Sequence, residues 1–245
     1  MTKKSVKPWG MTETTDPAFH LELFDNLYEG NTIITKRLTD KLIEKLVEHK
    51  EKIILHLTCT GMGGSKIEPL VPKKEKTREM FDKLVAAGFP VEQVVLRIDP
   101  IVPTEKGVET ALSVLDTFKG SGIKRVRISF LDMYDHVKER FKESRIHSPY
   151  QTFHAKKEDR LKVFGMLQTR SSDDGFTLEA CGEPGIESVP CLSVRDVQIL
   201  GLDYELVGNA EQRKSCSCPA NKKQLVRTKP ERCGNKCLYC YWKDK

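Results

Sequence analysis

Apolar positions along the chain alternate between two periods. "NTIITK" (31–36) is a β-branched run that closes on a basic turn, and "RLTDKLIEKLVEHK" (37–50) then repeats Leu38, Leu42 and Leu46 with Ile43 and Val47 at helical spacing. The same succession recurs. "KIILHLTCT" (52–60) reads as a strand, followed by an amphipathic helix over "KEKTREMFDKLVAAG" (74–88) that stops at Gly88. "VEQVVLRIDPIVP" (91–103) reads as a buried strand, 105–122 as a helix, and "IKRVRISFLD" (123–132) as a strand. The polar stretch "DMYDHVKERFKESR" has helical character, 156–175 reads as a helix, "FTLEACGEPG" (176–185) as a strand, 193–201 as a short helix and "YELV" (204–207) as a last strand. Strand followed by helix, repeated, predicts parallel strands joined by right-handed crossovers, in an open doubly wound sheet or a barrel. The strands run out into "TCTGMGG", "RIDPIVP", "SFLD" and "EACGEPG", so a ligand site is expected at their carboxyl ends.

Composition sharpens this picture in one region. The 245 residues are 38% hydrophobic and 31% charged, as in a globular protein with a real core. No window approaches the roughly 18 apolar residues of a membrane span, and the first residues are polar, so a cytoplasmic protein with no membrane association is expected. The formal charge is +6, but ten Lys or Arg and only two acids stand between Gln212 and Lys245, leaving the remainder slightly acidic. The division expected is a (β/α) barrel-like domain over 1–210 and a basic, cysteine-rich segment over 211–245 packed on it. Such a basic patch either meets phosphate, as nucleic acid or a nucleotide-like cofactor, or is a solvated surface around a metal loop.

Five of the eight cysteines fall in the last 30 residues, a pattern that without an export signal points to metal rather than disulfides. Cys233, Cys237 and Cys240 form CxxxCxxC. A structural zinc site normally takes four ligands; three thiolates on a four-iron cluster leave one iron open to an outside ligand. Cys181, Cys191, Cys216 and Cys218 make a second set of four, sufficient for a tetrahedral zinc or a second [4Fe-4S] cluster; the alternative is that Cys181 and Cys191 are core residues. The six histidines show no HxH or HExxH spacing, and no GxSxG or phosphate-loop motif occurs.

The triplet, with the aromatic Tyr239 before its last cysteine, resembles the signature of the radical S-adenosylmethionine (SAM) superfamily. "IEPLVPKKEKTREMFDKLVAAGFPVEQVVLRIDPIVP" resembles the spore photoproduct lyase-like branch, through Glu68, Pro69, Pro72, Arg78, Leu84, Ala87, Gly88, Val91, Pro100, Ile101 and Pro103. Nearly the whole chain is similar to an uncharacterised bacterial family with the same order: Thr15–Phe19, Ile67–Pro69, Arg97–Ile101, Cys181–Pro184, Gln212–Cys218 and Cys233–Tyr241. The resemblance implies a permuted, partial or complete (β/α) TIM-like barrel, a [4Fe-4S] cluster on Cys233, Cys237 and Cys240, SAM as cofactor and an electron donor as partner. The permutation makes "DPAFHLELFDNLYEG" (16–30) the helix after the cysteine loop. Nucleic acid or a nucleotide is the implied substrate class. The rival is a non-enzymatic zinc or iron–sulfur module that docks nucleic acid or a partner protein through its basic tail.

Within that frame Thr58, Thr60 and Glu68 are candidates to hydrogen-bond SAM, with Tyr239 beside the cluster. The glycines of "GMGG" permit close backbone approach. Cys59 is either a hydrogen-atom donor, as a cysteine is in spore photoproduct lyase, or a small apolar filler. Arg97 and Asp99 share a strand face, either as a structural ion pair or with Arg97 facing a carboxylate or phosphate. Arg127 and Ser129 repeat that parity, Glu183 is a further polar candidate, and "SRIHSPYQTFHAKKEDR" (144–160) is either a lid or a surface excursion.

Overall fold

The computed structural model describes residues 6–210, 215–226 and 233–242. Seven strands form one all-parallel sheet: β1 (Trp9–Met11), β2 (Asn31–Thr35), β3 (Ile53–Thr58), β4 (Val94–Ile101), β5 (Arg125–Phe130), β6 (Thr177–Ala180) and β7 (Lys222–Gln224). Their spatial order is β6-β5-β4-β3-β2-β1-β7. The order never doubles back through the first six strands, which sets this sheet apart from a doubly wound one. Among the described residues no ladder joins β6 to β7, so the sheet has two edges.

Uniform right-handed crossovers put the connecting helices on one face. These are α1 (Asp40–Glu48), α2 (Lys74–Ala86), α3 (Glu105–Phe118) and α5 (Lys157–Asp173), whose buried Leu42, Phe81, Leu84, Leu115 and Leu167 pack with Ile33, Leu55, Leu57, Leu96 and Ile128 of the strands. The helix starts are encoded locally: Thr39 and Thr104 accept hydrogen bonds from the backbone N–H groups of Leu42 and Gly107. Gly88, at φ 95°, takes the left-handed position just past α2. The opposite sheet face carries Trp9, Met11, Ile54 and Val95. It packs against Cys181, Cys191, Leu192, Cys216, Cys218 and Val197 of α6 (Val194–Ile199), all buried. The polar stretch after β5, expected to have helical character, forms α4 (Asp135–Glu143) and buries Val137 and Phe141.

Three expectations change. Residues 16–30 form no α-helix but two short 3-10 turns, Pro17–Phe19 and Leu21–Asn26, because Asp16 caps Ala18 and the chain bonds in i+3 steps, His20 to Pro17 and Leu23 to His20. "YELV" is no strand: the Asn221 side chain, rather than a ladder, accepts from Val207 N–H at 2.9 Å and donates to Glu205 O at 2.9 Å. The last strand is instead "KKQ", which pairs with the unpredicted β1. The described part of the 211–245 segment thereby supplies an edge strand of the main sheet. Of its ten cations, Lys222, Lys223 and Lys236 are described, while Arg213, Lys214, Arg227, Lys229, Arg232, Lys243 and Lys245 lie outside the described residues, as does Gln212. No helix among the described residues is long and apolar enough to cross a membrane.

Candidate functional site

The carboxyl ends of the strands open into a cavity of about 220 Å³ that is partly open to solvent. Strand parity explains its lining. In β3, β4 and β5 the helix-facing positions are apolar, and the alternate positions, Thr58, Arg97, Asp99 and Ser129, point into the cavity. Cys233, Cys237, Tyr239 and Cys240 line it from above, and Cys181, Cys191 and Cys216 from the β6 side. The three cysteines of the loop and Cys181, Cys191 and Cys216 of the second set therefore border one space; Cys218 does not line it.

The three-cysteine loop is anchored on four sides. Asp16 is its hub: Oδ1 accepts from Thr35 Oγ1 at 2.7 Å, and Oδ2 accepts from Lys36 N–H at 2.8 Å and from Asn235 Nδ2 at 2.7 Å. Leu238 N–H donates to Ile67 O at 3.0 Å. Arg140 of α4 donates to Cys240 O at 2.7 Å and Trp242 O at 2.8 Å, and Trp242 Nε1 donates to Glu13 O at 3.0 Å. Inside the loop two tight turns, Lys236 N–H to Cys233 O at 2.9 Å and Cys240 N–H to Cys237 O at 3.3 Å, fold the three cysteines together. Burial pushes the Cys237 thiol up to about 12, against the pull of nearby Lys36, and burial likewise raises Cys240.

Glu68 is wholly buried and its oxygens are taken up within the protein. Thr60 Oγ1 donates to one oxygen at 2.6 Å; Tyr239 OH and Lys36 Nζ, the latter at 3.2 Å, donate to the other. Glu68 thus holds Tyr239, and with it the cysteine loop, to the loop beyond β3. It does not line the cavity, whereas Thr58 and Tyr239 do.

Below the cavity a charged layer crosses the sheet. Arg97 pairs with Asp99 and donates to Cys191 Sγ at 3.5 Å, while Asp99 also accepts from Ser129. Arg127 pairs with Glu179, and Arg125 bridges Glu179 at 3.3 Å and Asp196 at 2.7 Å. His56 is fully buried beside them. Desolvation, then Arg127 and Arg97, hold it well below the usual histidine range, so it is neutral. The second cysteine set sits on this layer. Cys181 Sγ and Cys191 Sγ are 3.6 Å apart, and the Cys218 thiol contacts those of Cys191 and Cys216. Hydrogen bonds from Cys181 and Cys218, with Arg97 and Arg127 acting in the same direction, hold Cys191 well below the ordinary thiol range despite its burial. As they stand, the described His, Cys, Asp and Glu side chains include no group of three or more already disposed to hold a metal ion.

Several predicted residues lie elsewhere. Cys59 is on the helix side of the sheet, in the main core, with burial raising its thiol to about 11; it does not border the cavity. Thr58 lines the cavity, whereas Thr60 is spent on Glu68 and does not border it. Glu183 accepts from Phe130 N–H at 2.8 Å and from Arg160 at 3.2 Å, which makes it a fastener of the β5 end. The close approach at "GMGG" is internal: a Cβ on Gly63 would lie 1.9 Å from the Pro72 carbonyl oxygen. The 144–160 segment packs on the β5 end, with Phe153 O accepting from Met133 N–H at 2.8 Å and His154 2.8 Å from Asp132. Asp16, Lys36, Asn235 and Arg140 were not singled out by sequence reasoning. Only "TDPAF" and the residues between the cysteines offered a signal, and Lys36 and Arg140 offered none.

The model of a family described as a domain of unknown function, DUF1848, matches residues 11–242. No curated protein matches the chain. Among solved structures, a "putative phosphonomutase from Burkholderia cenocepacia J2315" is similar with a TM-score of 0.32 and 12% identity, over 74% of this chain and 70% of that one.

Proposed function

The chain belongs to the DUF1848 family, and for it we propose a radical SAM-type iron–sulfur function: Cys233, Cys237 and Cys240 hold a [4Fe-4S] cluster, and SAM occupies the adjoining cavity. The observation that carries the reading is that all three cysteines border one cavity at the carboxyl ends of parallel strands. The donor set fits the group, three thiols on one tightly turned loop with no fourth cysteine in it. A cluster with one iron free of protein ligands supplies the electron that cleaves SAM reductively.

The protein's own residues do the rest. Asp16, Asn235 and Arg140 fix the loop's backbone at the cavity, so that taking up metal asks the thiol side chains, rather than the loop, to turn onto one centre. Lys36, whose ammonium lies 5.3 Å from the Tyr239 ring centre, sets positive charge beside the loop and offsets that of the thiolates. Thr58 and Ser129 present hydroxyls to a polar ligand, and Tyr241 and Trp242, ring centres 5.0 Å apart, give an apolar wall that shields it from water. The strand order supports the permuted layout: the cysteine loop follows β7, which lies beside β1, as the loop of the resembled family follows that family's first strand. On this reading the sheet is a permuted, partial (β/α) barrel. Nucleic acid is the proposed substrate class, resting on the lyase-like resemblance and the tail's charge. Its binding should weaken steeply with salt.

The test is anaerobic purification with iron, sulfide and zinc analysis, then incubation of the reduced protein with SAM. About four irons and four sulfides on the triplet, with release of 5′-deoxyadenosine that Cys237→Ala abolishes, are expected. Zinc without iron in the anaerobic protein would sink the reading; iron without SAM cleavage would leave a redox or structural cluster.

A further inference from the structure

The second set of thiols comes from three separate segments. Cys181 directly follows β6, Cys191 precedes α6, and Cys216 and Cys218 precede β7. Their exposures are 5%, 5%, 6% and 0%. The side chains form one continuous chain of contacts, Cys181 to Cys191 to Cys218 to Cys216. Two donors are aimed at the sulfurs: Cys191 N–H reaches Cys218 Sγ at 3.3 Å, and Arg97 reaches Cys191 Sγ at 3.5 Å. Neutral thiols are weak acceptors, and a guanidinium directed at one in a buried layer suits a thiolate better.

We propose that Cys181, Cys191, Cys216 and Cys218 form a closed tetrahedral zinc site, distinct from the three-cysteine loop. Zinc–thiolate bonds of about 2.3 Å place neighbouring sulfurs about 3.8 Å apart on a tetrahedron's edge, close to the 3.6 Å between Cys181 and Cys191. A four-iron cluster sets a cube of iron and sulfide between its thiolates, and sulfurs already in contact leave it no room. Zinc needs only to draw the four onto one centre. The N–H of Cys191 and the guanidinium of Arg97 are the outer partners that tetrathiolate sites require, and Arg97 offsets part of the site's net negative charge. Trp9, Leu192 and Val197 pack with these cysteines in one buried cluster. The metal would staple the β6 end and the α6 loop to the segment that leads into β7. Among the described residues that strand, three residues long, has β1 as its ladder partner.

The experiment starts from the triple variant Cys233→Ala, Cys237→Ala, Cys240→Ala, which removes the first cysteine set and so keeps this test independent of the proposed cluster. Expected are about one zinc and no iron per chain, with X-ray absorption showing four sulfurs at about 2.3 Å. Adding Cys216→Ser and Cys218→Ser should abolish zinc retention. Because those changes could unfold the protein, cobalt exchange into the triple variant is the second measurement, with the intense thiolate-to-cobalt absorption of a tetrahedral tetrathiolate expected. Iron with sulfide in the triple variant, metal-free protein with all five remaining thiols free, or disulfide-linked pairs found by mass spectrometry would each overturn the proposal.

Discussion

Lys36 Nζ lies 3.2 Å from Glu68 Oε1, and this pair ties the end of β2 to the loop beyond β3 directly under the cysteine loop. Both groups are shielded, with side-chain exposures of 18% for Lys36 and 0% for Glu68. Removing one partner of such a pair strands the other. Glu68→Gln should lower stability by about 3 kcal/mol in urea denaturation, and Lys36→Met combined with it should recover part of the loss. Burial opposes the charge on Lys36, but Glu68, Cys237 and Asp99 outweigh it and leave its pKa raised. A lysine raised on folding contributes stability that is full below its unfolded pKa of about 10.4 and is lost as pH climbs through the higher folded value. The effect of Glu68→Gln should accordingly be constant from pH 7 to 9 and shrink only in strong alkali.

His56 gives the opposite sign. Its folded pKa is depressed, so its contribution is present above the unfolded value of about 6.5 and lost as pH falls below it. Wild-type denaturation midpoints should drop between pH 7 and pH 5, and His56→Gln should show a shallower drop. Equal slopes in the two proteins would refute this assignment.

Glu179 serves two arginines. Its carboxylate accepts from Arg125 Nε at 3.3 Å and from Arg127 Nε at 3.0 Å in the layer beneath the second cysteine set. Glu179→Gln leaves both guanidinium groups short of charge. A loss of about 3–5 kcal/mol is expected, read as a fall in thermal midpoint, whereas Glu179→Asp should cost less.

Arg140 reaches the cysteine loop through two backbone carbonyls, those of Cys240 and Trp242. Arg140→Met should keep the apolar stem packed while removing both bonds. The expected result is a protein with wild-type circular dichroism that retains less iron after anaerobic desalting. Arg140→Lys, which restores one donor, should recover part of it. Unchanged iron retention in Arg140→Met would remove this role.

Gly63 tests the loop that carries Glu68. Gly63 and Glu68 form a bridge, and Gly64 N–H donates to Glu68 O at 2.9 Å. A methyl at Gly63 meets the Pro72 backbone, which cannot swing aside as a side chain would. Gly63→Ala should therefore destabilise the protein by at least 1 kcal/mol, of the order expected for strain in a packed interior, and show a changed Tyr239 environment by near-ultraviolet circular dichroism.

The sequence by itself determined the strand–helix alternation, because each element's period and caps lie within a few neighbouring residues. Thr39, Thr104 and Gly88 set helix ends without help from the rest of the fold. It also marked the inward parity of Arg97, Asp99, Arg127 and Ser129, and the two cysteine sets. Tertiary structure decided what those residues meet. Glu68 turned out to be held by Tyr239, 171 residues away, and Asp16 by Asn235, 219 residues away; no local pattern encodes such pairings. The three-residue strands β1 and β7 are too short to carry a period and exist because each supplies the other's ladder. The same holds for the 3-10 turns after Asp16, where a side-chain cap and the packing of Leu23 and Phe24 override an apparently helical stripe. Spacing marked Cys233, Cys237 and Cys240 as one loop, while only packing set them across one cavity from Cys181, Cys191 and Cys216, which come from distant parts of the chain.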